Sequence, residues 1–272
     1  MTSKQKTLKY IPDSKLAKSE PNPMWFGNPS NESNLKSWTN KNWLKSRFHF
    51  SFAEYNNEEN LNFGALRVMN DDLVQPKRGF GTHPHSNAEI VTYVVDGKLT
   101  HQDSMGTKES LGRGSIQFMT AGTGIRHSEH NLHEEPLRFI QMWLIPTQRG
   151  FKPNYGSMCG SKLQEKNEWR HLVSWAENKD KKTPVEIQTD SNMFVAELEA
   201  KKDLDFKLEK GRQAYFLAVE GNPTVSGDFG SQKFEKHDAA ELYGPAELKV
   251  SGPGHVLIFE MKDDGEGGRT DI

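Results

Sequence analysis

Along most of the chain, apolar residues come in short alternating runs rather than in helical stripes. In residues 47–52, Phe48, Phe50 and Phe52 alternate with polar neighbours, and a period of two puts such side chains on one face of a strand. Residues 61–68 read as a second strand, closed by the turn-formers Asn70, Asp71 and Asp72. Residues 90–95 are β-branched and aromatic, and Asp96-Gly97 then marks a hairpin turn into a strand over 98–101. Another turn is expected at 104–107, with further strands over 115–119 and 137–145. The last of these is apolar on both faces, as suits a strand enclosed in a barrel or sandwich.

The pattern weakens over 153–182, which is polar and weakly helical around 165–176. Strand-like runs resume at 185–187, 192–198, 213–219 and 254–260. Many short strands cut by turns predict an all-β fold, and the interruption predicts two barrels in tandem. The expected division is an arm over 1–42, a first barrel over 43–156, a linker over 157–183, a second barrel over 184–262 and a tail over 263–272. The arm is rich in Asn, Ser, Lys and Pro, and its aromatics Trp25, Phe26 and Trp38 are expected to dock onto other parts of the chain. The Gly-rich, acidic tail is expected to be disordered.

Composition then narrows the class. A chain of 272 residues can bury a large core without staples, and a formal charge of −2 gives no global pull toward nucleic acid or an anionic membrane. The one cysteine, Cys159, excludes an internal disulfide and favours a reducing compartment. The polar N-terminus carries no signal-peptide pattern, and no run approaches the roughly 20 apolar residues that span a bilayer. The expectation is a monomer inside the cell, cytoplasmic, with the nucleus as a second compartment.

The candidate chemistry lies in two short motifs, His83-Pro84-His85 and His127-Ser128-Glu129. Each sets two metal-competent side chains at i and i+2, hence on one face of a strand. Neighbouring strands are about 4.8 Å apart, so two such pairs on adjacent inward faces could converge on one ion. His83, His85, His127 and Glu129 are therefore the expected ligands. Three imidazoles and one carboxylate leave two positions of a six-coordinate ion free, a layout for oxygen chemistry or for chelating a two-oxygen ligand. Pro84 needs a place where no ladder hydrogen bond is donated, and Gly122 and Gly124 suit a tight turn before His127.

These residues carry a family resemblance. The runs His83-Pro84-His85-Ser86-Asn87-Ala88-Glu89, Leu99-Thr100-His101-Gln102-Asp103-Ser104-Met105-Gly106 and Met119-Thr120-Ala121-Gly122-Thr123-Gly124-Ile125-Arg126-His127-Ser128-Glu129 resemble the pirin family of the cupin superfamily. The likeness is dense over 43–156 and diffuse beyond. It implies two cupin barrels of the double-stranded β-helix type, with a metal in the first only, on His83, His85, His127 and Glu129. Fe(II) is the metal it implies first, with Mn, Co, Ni or Cu as alternatives. It implies quercetin 2,3-dioxygenase activity on a flavonol-like substrate with O2, Glu129 doubling as general base. It also implies an alternative, an iron-containing, redox-sensing partner of transcription regulators that does not itself bind nucleic acid.

Some residues stay open. The general cupin pattern has a ligand carboxylate at the position of Glu89, which rivals Glu129, and Ser86-Asn87-Ala88 departs from the usual pirin text at the pocket mouth. His101 and Asp103 read as a hairpin-stabilising pair. Gln141 alternates in phase with Phe139 and Trp143 and is either an interior donor or a backbone partner. His171, His237 and His255 lack any i+2 partner, so the second barrel is expected to be metal-free.

Overall fold

The computed structural model describes residues 7–28, 43–160, 165–263 and 265. Apart from two short 3-10 turns, its regular elements are all strands. No helix among the described residues is long and apolar enough to cross a membrane. The chain divides into two compact units, one of residues within 17–62 and 66–163, the other within 1–16, 63–65 and 164–269.

In the first unit a seven-stranded sheet runs in the order Asn154–Met158, Ile116–Thr120, Glu89–Asp96, Leu137–Leu144, Leu66–Val74, Leu44–Phe48 and Ala17–Ser19. A four-stranded sheet faces it, in the order Gly79–His85, Ile125–His130, Lys98–Asp103 and Lys108–Gly112. The second unit repeats the seven-plus-four plan. Its large sheet is Leu8–Ile11, Ala239–Tyr243, Arg212–Gly221, Gly254–Lys262, Ser191–Leu198, Arg170–Trp175 and Val185–Ile187. Its small sheet is Asp203–Leu208, Ala246–Ser251, Thr224–Gly227 and Gly230–Lys233. The alternation predicts two tandem β-barrels, and the resemblance implies that they are cupin barrels; this paired plan agrees with both.

Each core forms where the inner faces of the two sheets meet. In the second unit Ala214, Phe216 and Ile258 of the large sheet pack with Phe206, Leu248 and Val250 of the small one. The first unit is not apolar throughout. One cluster joins Val74, Val94 and Phe139 to Leu99 and Leu111, and a second joins Ile90 and Met119 to Ile125. Between them runs a buried polar row across four adjacent strands, Asn70, Gln141, Thr92 and Gln117, which stand opposite one another in register. That row is the floor of the candidate site.

Several expected boundaries move. Asn70, Asp71 and Asp72 do not end a strand; they lie buried inside Leu66–Val74. The carboxyl groups of Asp71 and Asp72 are met by tertiary partners, Ser46 Oγ donating to Asp72 and Arg138 gripping Asp71 with two bonds of 2.8 and 2.7 Å. The strand expected over 47–52 is Leu44–Phe48, after which Phe50 is buried in irregular backbone. The weak helix over 165–176 is instead the strand Arg170–Trp175, whose Leu172, Val173 and Ser174 are buried.

The expected arm is not one appendage. Leu8–Ile11 is an edge strand of the second unit, paired with Ala239–Tyr243, whereas Ala17–Ser19 extends the large sheet of the first. Phe26 packs against Trp43 and Phe80, while Trp25 is exposed. Trp38 and nearly all of the expected tail lie outside the described residues.

Candidate metal centre

The small sheet of the first unit assembles the site. Gly79–His85 is its edge strand, so Pro84 sits where the missing N–H removes no central ladder bond. It pairs with Ile125–His130, which sets His127 directly opposite His83. A register shift follows, and Glu129 stands opposite Phe80. On its other side Ile125–His130 pairs with Lys98–Asp103, setting Asp103 opposite His127 and His101 opposite Glu129. Directly opposed residues of an antiparallel pair share a face, so all of these side chains turn inward.

The ligand nitrogens of His83, His85 and His127 lie within 4.8 Å of one another. His83 Nδ1 lies 2.8 Å from the Gly81 carbonyl oxygen and donates its proton there, which leaves the Nε2 lone pair facing His127. The two Nε2 atoms are 3.1 Å apart. Imidazole nitrogens held about 2.1 Å from one ion and this far apart would subtend about 95°, near the right angle of adjacent octahedral positions. Burial, reinforced by the neighbouring imidazoles, lowers the pKa of His85 and of His127 to about 3. Both rings are therefore neutral at pH 7, the form that ligates. This donor set fits a metal ion.

A second triple shares His127. The ligand atoms of His101, His127 and Glu129 also lie within 4.8 Å of one another. Glu129 is buried and accepts one amide hydrogen on each oxygen, from Gln117 at 3.1 Å and Gln141 at 2.7 Å. Glu89, the rival carboxylate, belongs to neither triple; it is buried and accepts a hydrogen bond from the Thr120 hydroxyl at 3.1 Å.

His101 does more than stabilise a hairpin. Its ring is fully buried, stacks on Tyr155 at 4.5 Å and stands 5.3 Å from His127. Asp103 does stabilise the turn, accepting from the amides of Met105 and Thr107 at 2.8 and 3.0 Å, and its other oxygen meets His101 Nε2 at 3.2 Å. A signal for His101 is present in the chain: His101-Gln102-Asp103 has the same i, i+2 spacing as the two chosen motifs. Gln117 and Tyr155 carry no sequence signal at all. Cys159 is exposed and apart from both triples, and among the described residues no comparable cluster occurs in the second unit.

A cleft of about 370 Å³ opens on the site, with His85 in its wall beside Pro84, Ser86, Ser104, Gly124, Ile125 and Arg126. That size lies within the usual range of small-molecule pockets, about 300–1,000 Å³.

Comparison with known proteins gives a consistent picture. Residues 31–144 match the family described as Pirin, and residues 172–261 match the one described as Quercetinase C-terminal cupin domain. The chain is 42% identical over 185 residues to a pirin-like protein of Caulobacter vibrioides, covering 68% of this chain and 79% of that protein. It is 37% identical over 233 residues to the quercetin 2,3-dioxygenase of Escherichia coli K12, covering 85% of this chain and 96% of that protein. The crystal structure of the bacterial pirin YhhW from Escherichia coli in complex with nickel(II) superposes with a TM-score of 0.76 at 28% identity, covering 94% of this chain and 99% of that one.

Proposed function

The chain belongs to the pirin family, and on that premise we propose that it is a metal-dependent dioxygenase of flavonol-like compounds. The observation that carries the reading is the triad of imidazoles, His127 buried and His83 and His85 half-buried, beside a hydrogen-bonded carboxylate, with one of its histidines in the wall of a ligand-sized cleft. His83, His85, His127 and Glu129 are the proposed ligands. A divalent transition metal there would supply Lewis acidity toward a chelating hydroxyl and carbonyl, and a site for dioxygen chemistry.

The remaining roles fall to the chain's own side chains. Glu129, whose carboxylate is oriented by its two amide donors, accepts the proton of the substrate's chelating hydroxyl. The apolar Pro84 and Ile125 offer a wall for an aromatic ring, and Ser86, Ser104 and the exposed Arg126 offer partners for phenolic oxygens. Fe(II) is the first metal we would test, and nickel the second, since the YhhW structure holds nickel(II).

The test is aerobic incubation of protein, loaded separately with each metal, with quercetin, followed by the loss of flavonol absorbance. Turnover by at least one form, lost in His127→Ala, is the expected outcome. Flavonol loss no faster than that of His127→Ala with every metal tried would overturn the catalytic reading.

A further inference from the structure

Each oxygen of the buried Glu129 carboxylate holds one amide donor, and the two donors come from different strands of the large sheet. An amide can turn either end to a carboxylate, and only its N–H end attracts. What decides between them is the partner of the amide oxygen. The Trp143 indole N–H, which can only donate, bonds Gln141 Oε1 at 3.2 Å. Gln141 Nε2 must therefore face Glu129, and it does so at the shorter of the two distances, 2.7 Å.

The Gln117 arm is held less firmly. Its Oε1 lies 3.0 Å from the Tyr155 hydroxyl, but the same hydroxyl also bonds Glu109, and one hydrogen is divided between two acceptors. Trp143 has a further contact: its ring stands edge-on to His85 with centroids 4.7 Å apart. One indole thus touches a histidine of the triad and orients the amide that holds the carboxylate.

From this geometry we propose that Gln141 and Gln117 are positioning residues that fix how far Glu129 reaches toward the metal, with Trp143 locking the stronger arm. Each oxygen keeps one lone-pair direction for a cation while the other is taken by an amide. Any rotation that swings the carboxylate further toward His83 and His85 must break one of these charge-assisted bonds. The proposal rests on the reading of Glu129 as the fourth ligand, so the two need separate tests.

Co(II) binding to the full chain, measured by chelator competition and by the visible spectrum of the bound ion, provides both. Glu129→Ala should weaken binding; unchanged affinity would remove Glu129 from the ligand set and the proposal with it. Gln141→Met, close in volume, should weaken binding roughly 10–100-fold and shift the spectrum, and Gln117→Met should do so by a smaller factor. In the Glu129→Ala background Gln141→Met should add almost nothing, because a residue that acts through another loses its effect when that one is gone. An unchanged affinity in Gln141→Met with Glu129→Ala still impaired would overturn the positioning role. So would equal losses from Gln141→Met with and without Glu129. Should Gln141→Met not fold, Gln141→Glu keeps the shape, removes the amide donor and is judged by the same comparison.

Discussion

Arg138 and Asp71 form a two-pronged pair inside the first unit, with their side chains 6% and 1% exposed. Removing either partner strands a buried charge, so Asp71→Ala should destabilise the protein by about 3–5 kcal/mol in urea unfolding. The titrating residues make a different kind of prediction. Burial, helped by the adjacent imidazoles, lowers the pKa of His85 and His127 to about 3, and burial beside Asp71 and Glu129 raises that of Asp72 to about 7. Between about pH 4 and 6.5 the unfolded chain therefore binds two imidazole protons that the folded chain lacks, and lacks one carboxyl proton that the folded chain keeps. The unfolded state binds the net excess, so through these groups the metal-free protein gains stability as pH rises across that window. Towards pH 7 the imidazole protons remaining on the unfolded chain and the carboxyl proton remaining on folded Asp72 nearly cancel, so the dependence through these groups flattens there. The urea midpoint of the metal-free protein should rise from pH 4 to 6.5, and more steeply in Asp72→Asn, where the opposing group is gone. A flatter rise in that variant would contradict the assignment.

Strands set the site by their spacing. Gly79, on the edge strand that ends in His85, faces the backbone of the strand that carries His127 and Glu129. A Cβ there would stand 2.4 Å from the Glu129 carbonyl oxygen and 2.6 Å from His130 Cα, backbone atoms that cannot swing aside. Gly79→Ala should therefore part the two ligand strands and weaken Co(II) binding by at least tenfold, as readily as a change in a ligand's own support. An unchanged affinity would mean that the strands do not hold the ligands by close approach. Gly122 plays the related part at the turn before His127: its φ of +47° suits glycine, and a Cβ would meet the Phe151 carbonyl oxygen at 1.8 Å. That turn was readable from the glycines alone. The edge position of Pro84 was readable only as a requirement, since nothing local says which strand of a sheet lies at its edge.

Across the whole molecule, the second unit closes with chain from far away in sequence. Leu8–Ile11 completes the large sheet of the second unit beside Ala239–Tyr243. Tyr10 donates to Asp238 at 2.6 Å, packs edge-on against Phe234 at 5.4 Å, and Lys9 pairs with Glu241 at 2.9 Å. Removing residues 1–12 should bare the sheet edge, take a donor from buried Asp238 and lower the thermal midpoint by several degrees, at roughly 2–4 °C per kcal/mol for a protein of this size. Co(II) affinity should stay within about twofold, because the two triples draw on the first unit alone. A loss of metal binding in the truncated chain would contradict that division.

The sequence by itself determined what repeats locally. Period-two alternation settled the all-β class, and the i, i+2 spacing put His83 with His85, and His127 with Glu129, on common faces. It could do so because both follow from the geometry of a single strand. Only the tertiary structure decided what depends on register between strands. Asn70, Asp71 and Asp72 look like a turn until the three are buried inside a sheet, where Ser46 meets Asp72 and Arg138 meets Asp71. Gln117 and Gln141 lie on strands separated along the chain by the one that carries His127, yet both converge on Glu129 because both stand opposite Thr92 in their shared sheet. Glu89 has the more conventional spacing after the first histidine motif, but its strand turns it toward Thr120, away from both triples. Spacing along one strand is written in the chain, whereas the partner across a sheet is chosen by how all the strands pack at once.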